Sequence, residues 1–248
     1  MAGSFSVKGE RLMPLMYSAA IFDMDGTLLD TLDDLADATN ATLSAYGFPA
    51  RTREEVRLFV GNGVEKLMER ALPDGQATVA HRQDGSSADF GTILADFKTR
   101  YAACCRNRTR PYPGIPELLA DLRRAGIPVA VVSNKFDAAV KSLAAAYFGD
   151  LIPVAVGERA GVRKKPAPDT VFEAIRLLGI PSADEQSGTR PVYIGDSDVD
   201  IATAAAAGLP CISVTWGFRS RAFLLQHGAS RFADSAAELG HMLTGEKS

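Results

Sequence analysis

The chain has 248 residues, 46% hydrophobic and 23% charged, with a formal net charge of −3. That length supports one large domain or two modest ones with a sizeable core, and the mild acidity argues against nucleic acid or an anionic membrane as a general partner. Three cysteines (Cys104, Cys105 and Cys211) and the scattered His81, His227 and His241 look like neither a disulfide framework nor a zinc site, and they fit reduced thiols in a cytoplasmic protein.

In chain order, residues 1–16 read as an N-terminal extension. They hold charges but no long apolar stretch of the signal-peptide kind, and no apolar run anywhere reaches membrane-spanning length. Ala19–Phe22 is the first of several short apolar runs without polar alternation; the others are Pro128–Val132, Ile152–Val156, Val192–Ile194 and Cys211–Val214. Strands covered on both faces, as in a parallel sheet, look like this. Residues 31–112 differ. They give helical patterns around Leu32–Tyr46, after the capping box Thr52-Arg53-Glu54-Glu55, over Gly63–Leu72 and over Thr92–Arg106, with no convincing strand. Pro73–Asp89 is turn-rich and reads as an exposed loop. From Pro113 onward strands alternate with helices at Ile115–Ala125, Asp137–Phe148 and Pro168–Leu178. The expected organisation is a doubly wound, Rossmann-like α/β core (17–30 and 113–248) with a helical block (31–112) inserted after its first strand.

Three predicted strands run straight into polar clusters. The first leads to Asp23-Met24-Asp25-Gly26-Thr27, the second to Ser133-Asn134-Lys135, and another to Gly195-Asp196-Ser197-Asp198-Val199-Asp200. Ligands of open α/β sheets bind outside the carboxyl ends of the strands, so parallel neighbours would bring these clusters into one crevice. That much carboxylate in one place needs a cation or raised pKa values. An all-oxygen donor set favours a hard ion, Mg²⁺ best. Lys164 and Lys165 add positive charge, and Ser133 with neighbouring backbone N–H groups can donate to phosphate oxygens.

DMDGTLLDT, SNK, KKPAPD and GDSDVD, in this order, resemble the four motifs of the haloacid dehalogenase superfamily. The likeness runs from residue 19 to about 217. The helical insert resembles the C1 cap of that superfamily, and VGNGV at 60–64 and VTWGF at 214–218 are most similar to its phosphoglycolate phosphatase-like members. The resemblance implies a Mg²⁺-dependent phosphatase of a small phosphorylated metabolite, 2-phosphoglycolate first, acting through an aspartyl-phosphate. Asp23 would be the nucleophile and Asp25 the general acid and base. Asp23, the backbone carbonyl of Asp25, and Asp196 would bind the metal, with Thr27 and Asp200 in support. Ser133, Asn134 and Lys165 would hold the phosphoryl group.

The residues also allow plainer roles. Ser133-Asn134 can cap a helix, Lys164 can be solvated, Asp198 can face water or cap, and Trp216 and Phe218 can simply pack. Gly61-Asn62-Gly63 is either a turn between helices or the site of substrate selection at a helix N-terminus. A sugar phosphomutase of the β-phosphoglucomutase type and a non-catalytic phosphometabolite-binding module remain alternatives. The sequence carries no reading of oligomeric state.

Overall fold

The computed structural model describes residues 16–73, 80–81, 87–181 and 189–245; the N-terminal extension and most of the Pro73–Asp89 segment lie outside them. β1 (Ala20–Phe22) is followed by β2 (Leu29–Asp30) and by helices α1 (Leu32–Ala45), α2 (Arg53–Phe59) and α3 (Val64–Ala71). After β3 (Ala80–His81), β4 (Ser87–Ala88), α4 (Phe90–Cys104) and β5 (Arg110–Pro111), the chain alternates. It runs through α5 (Ile115–Arg124), β6 (Val129–Phe136), α6 (Asp137–Phe148), β7 (Val154–Glu158), α7 (Asp169–Leu178), β8 (Val192–Gly195), α8 (Asp198–Ala207) and β9 (Cys211–Val214). α9 (Arg221–Gln226), β10 (Phe232–Ala233) and α10 (Ala236–Thr244) complete it.

The main sheet has the order β10-β9-β8-β1-β6-β7, and its neighbours pair in parallel. Both faces are buried, which explains the strands' lack of polar alternation. Ala20, Phe22, Val129, Val131, Val192 and Ile194 enter one core, with Leu119 and Leu122 of α5, Val140 and Leu143 of α6, and Leu239 of α10. The residues between them, Ile21, Ala130, Val132 and Tyr193, enter the other, with Val171 and Ile175 of α7 and Ala204 of α8. Successive side chains of a strand point to opposite faces, so each apolar run supplies two cores at once.

Helices α1 to α4 pack on one another. Thr52 and Glu55 form the expected reciprocal capping box at α2. Two departures concern short pairings. β2 and β5 join antiparallel where the helical segment leaves and rejoins the sheet layer, and β3 pairs with β4 inside a stretch expected to lack strands. A two-residue ladder has no room for alternation, so its sequence carries no strand signal. The strand expected at Ile152–Val156 begins two residues later, because a short 3₁₀ turn at Gly149–Leu151 and then Pro153 precede it. β10 is a sixth strand that the sequence did not announce.

Candidate active site

Register brings the clusters together. Phe22 lies level with Val131 of β6 and Ile194 of β8, so the residues that follow each emerge at one height beside each other. The Asp23 N–H continues the ladder by donating to the Ile194 carbonyl at 2.8 Å. Asp23, Asp196 and Asp200 are buried, with carboxylate oxygens all within 4.8 Å of one another.

The Lys165 ammonium sits among three partners, Asp23 Oδ1 at 2.9 Å, Asp200 Oδ1 at 2.8 Å and the Tyr193 hydroxyl at 3.0 Å. Burial alone would lower its pKa, but the Asp200 and Asp23 carboxylates outweigh burial and hold it well above the usual lysine value. Asp23 is pushed the other way for an acid: burial raises its pKa, and the nearby Asp200 charge adds to this against the pull of Lys165. Asp196 is raised to about 7 by burial and then by Asp200, opposed by the hydrogen bonds it accepts.

Asp196 is rigidly seated. Its Oδ1 accepts from Thr27 Oγ1 at 3.2 Å and its Oδ2 from the Phe218 N–H at 2.6 Å. Gly26, at φ +84°, and Gly217 press directly on it, and a Cβ on either would collide with its carboxylate. Trp216 Nε1 donates to the Thr27 carbonyl at 3.0 Å, binding the two loops together. Asp200 is spent on support. One oxygen serves Lys165 and Tyr193; the other accepts from the Ser197 N–H and hydroxyl in the capping box of α8. Asp198, in the first turn of that helix, is half-buried. The donor set of Asp23 and Asp196, crowded, buried, all oxygen and raised in pKa, suits a divalent cation.

The strand tips line a small cavity of about 40 Å³, with Leu35, Val60, Gly61, Gly63, Val64 and Leu67 of the helical segment forming its roof. Ser133 lines it too and is 3% exposed; its Oγ accepts the Lys135 N–H at 3.2 Å, and among the described residues nothing accepts its hydroxyl hydrogen. Asn134 spends its amide hydrogens on the Lys165 carbonyl at 3.0 Å and the Gly61 carbonyl at 3.2 Å. Its side chain therefore clamps the Lys165 backbone to the roof. Asn62 is turned away from the cavity, and its Oδ1 accepts from Arg70 at 2.8 Å. Gly63 holds φ +90°, a backbone conformation that residues with a side chain rarely adopt, so glycine is favoured by the turn into α3 itself. Lys164 lies 3.7 Å from Glu158 and 3.8 Å from Glu65, across the same seam.

Arg219 and Lys135 line the cavity as well, and neither stood out in the sequence as a site residue. Arg219 donates to the carbonyls of Arg57 at 2.8 Å and Val60 at 2.7 Å, and Arg57 donates back to the Phe218 carbonyl. The two arginines form a reciprocal latch between sheet layer and helical segment. Only VTWGF drew notice there, and it stops one residue short. Lys135 was visible within SNK, but nothing in that tripeptide says where the lysine points.

Comparison with known proteins agrees with this geometry. A family model described as haloacid dehalogenase-like hydrolase matches residues 20–214. The chain belongs to the haloacid dehalogenase-like hydrolase family. A phosphoglycolate phosphatase of Rhodobacter capsulatus is 34% identical to this hydrolase over 223 residues, covering 90% of this chain and 95% of the relative. A Lactobacillus delbrueckii subsp. bulgaricus crystal structure, of a protein assigned provisionally as a phosphoglycolate phosphatase, superposes with TM-score 0.80 at 37% identity, covering 94% of this chain and all of that one (100%). CbbY of Rhodobacter sphaeroides, solved with phosphate, gives TM-score 0.70 at 30% identity over 91% of this chain and 97% of its own. Among the described residues of this haloacid dehalogenase-like hydrolase, no helix is long and apolar enough to cross a membrane.

Proposed function

We propose that this hydrolase of phosphoric monoesters is a Mg²⁺-dependent phosphatase whose leading substrate is 2-phosphoglycolate, working through an aspartyl-phosphate on Asp23. The supporting observation is the convergence of Asp23, Asp25, Ser133, Lys165 and Asp196 around one small cavity. The cavity is small, about 40 Å³, which favours a short leaving group. The names of the relatives point to the same compound.

Asp23 attacks phosphorus from the end of β1 as the bond to the leaving oxygen breaks. Lys165 neutralises the nucleophile and the phosphoryl oxygens, and the Ser133 hydroxyl donates to one of them. Asp25 gives its proton to the leaving oxygen and takes one back from the water that attacks the phosphoenzyme. Asp23, Asp196 and the Asp25 backbone carbonyl would hold Mg²⁺, which supplies charge stabilisation at phosphorus. Positioning and electrostatics of this kind carry most phosphoryl-transfer catalysis. Helices α1 to α4, within residues 31–112, act as the cap that excludes water and selects the leaving group, with Gly61 and Gly63 in its roof.

The test is release of inorganic phosphate from a panel of phosphometabolites, with Mg²⁺ or with a chelator. The expected outcome is chelator-sensitive release, fastest from 2-phosphoglycolate, falling about 10³-fold or more in Asp23→Asn. Turnover that survives Asp23→Asn would contradict the mechanism, and glucose 6-phosphate formed from glucose 1-phosphate would replace the phosphatase by a mutase.

A further inference from the structure

Among the described residues, the proposed roles leave one buried lysine unused. Lys135, at the tip of β6, is 4% exposed. It does not serve the nucleophile, which already has Lys165. Its ammonium lies 2.9 Å from Asp25 Oδ1 and donates to the Tyr101 hydroxyl at 2.8 Å. Tyr101 belongs to α4 of the helical segment and is fully buried at 0% exposure. Its ring stacks on Phe97 of the same helix, with centroids 5.9 Å apart, and meets the edge of Phe136 at 6.3 Å.

Burying an ammonium is costly unless it is paired and hydrogen-bonded, and well-packed apolar residues often replace such pairs at no loss of stability. Sheet-to-helix packing alone would therefore be met by methionine at 135 and phenylalanine at 101. The contacts of Asp25 are more specific than packing. Its Oδ1 takes the lysine and also the Thr31 hydroxyl, at 2.6 Å. Thr31 is the N-cap position of α1, where the chain passes into the helical segment. Both anchors thus converge on one oxygen, and Oδ2 has no protein partner among the described residues. Tyr101 lies within the helical segment and Thr31 opens it.

We infer that Lys135, tethered by Tyr101, is a positioning residue that aims Asp25 Oδ2 at the leaving oxygen, and that this aim is complete only while the helical segment sits over the strand ends. The inference rests on the reading of Asp25 given above. In the first step the Oδ2 proton passes to the leaving oxygen while the Asp23–phosphorus bond forms and the ester P–O bond breaks. In the second, water oxygen attacks phosphorus, the Asp23–phosphorus bond breaks, and the water proton returns to Oδ2. Lys135 keeps its own proton throughout.

The test compares two small substrates that differ in their need for an acid. The leaving oxygen of 2-phosphoglycolate must be protonated; that of acetyl phosphate departs as a stable carboxylate. kcat/KM reports the first step for each. Asp25→Asn sets the full bias: a loss on 2-phosphoglycolate of about 10²-fold or more with a much smaller one on acetyl phosphate. Lys135→Met is expected to lose about 30-fold on 2-phosphoglycolate and under about threefold on acetyl phosphate, and Tyr101→Phe to show the same bias at about three- to tenfold.

Equal losses on both substrates in Lys135→Met and Tyr101→Phe, beside a biased Asp25→Asn, would overturn the inference and leave the mechanism standing. A wild type that cleaves neither compound, or an Asp25→Asn without bias, would overturn both. If Lys135→Met does not fold by thermal melting, Tyr101→Phe, which keeps the stacked ring, decides alone.

Discussion

Asp23 and Asp25, which follow β1, each have a buried lysine, and the two pairs are anchored differently. Lys165 is held by Asp23, Asp200 and Tyr193, all from the sheet layer. Lys135 is held by Asp25 and by Tyr101 of α4, so it spans the seam between sheet and helices. Burial opposes the charge of both, and carboxylates overcome it in both; the Asp25 charge and the Tyr101 hydroxyl hold the Lys135 ammonium above its ordinary pKa. The contrast suggests a division of labour. Under the proposed roles, the group that would capture phosphorus is held by the sheet layer alone, whereas the group that would handle the leaving oxygen shares its support with the helical segment.

The comparison breaks most severely at Asp200. Asp200→Asn removes a fully buried charge from Lys165, and losing one partner of a buried pair costs about 3–5 kcal/mol, read by denaturant melts. Its kinetic signature should be blind to the leaving group: 2-phosphoglycolate and acetyl phosphate should lose kcat/KM alike, because in the proposed mechanism Lys165 would act on the phosphoryl group common to both. A loss confined to 2-phosphoglycolate would place both lysines in one role and dissolve the contrast.

A smaller effect follows from pH. Asp196 rises from an unfolded value of 3.8 to about 7 in the folded, metal-free protein, and Asp23 is raised as well. A group whose pKa is raised on folding binds its proton more tightly when folded, so its stabilising contribution is present at low pH and fades as pH rises through the folded value. Metal-free protein should therefore lose melting temperature between about pH 5 and about pH 8, and added Mg²⁺ should restore more of it at the upper end. Asp196→Asn should flatten that slope. A slope that is unchanged in Asp196→Asn would remove the crowded carboxylates as its cause.

The sheet layer was legible because its signals are local and redundant. The Asp137–Phe148 helix matches its predicted limits, and the Cys211–Val214 strand does too. Apolar runs that end in Asp, Ser or Gly mark strand tips, and parallel order makes the tips converge. The seam was not legible. Tyr101 read only as one apolar position among Ile93, Phe97 and Tyr101, since its hydroxyl has no partner within its own helix. Lys135 and Arg219 gain their meaning from residues on α4 and α2, far away in sequence. Asn134 lines the cavity together with Ser133 and Lys165, but the pairing of its side-chain amide with Gly61 and Lys165 is a long-range contact no tripeptide encodes. Likewise Gly61-Asn62-Gly63 divides, with both glycines at the cavity and Asn62 outside it.

Capture of the phosphoryl group by Asp23 is tested most directly in Asp25→Asn supplied with acetyl phosphate and Mg²⁺, where transfer to the enzyme needs no acid but release needs the missing base. Acid quenching and peptide mass spectrometry should find one phosphoryl group, on the peptide carrying Asp23, lost on treatment with hydroxylamine and absent when Asp23→Asn is added. A phosphoryl group on any other residue, or burst-free turnover with none bound, would contradict the account.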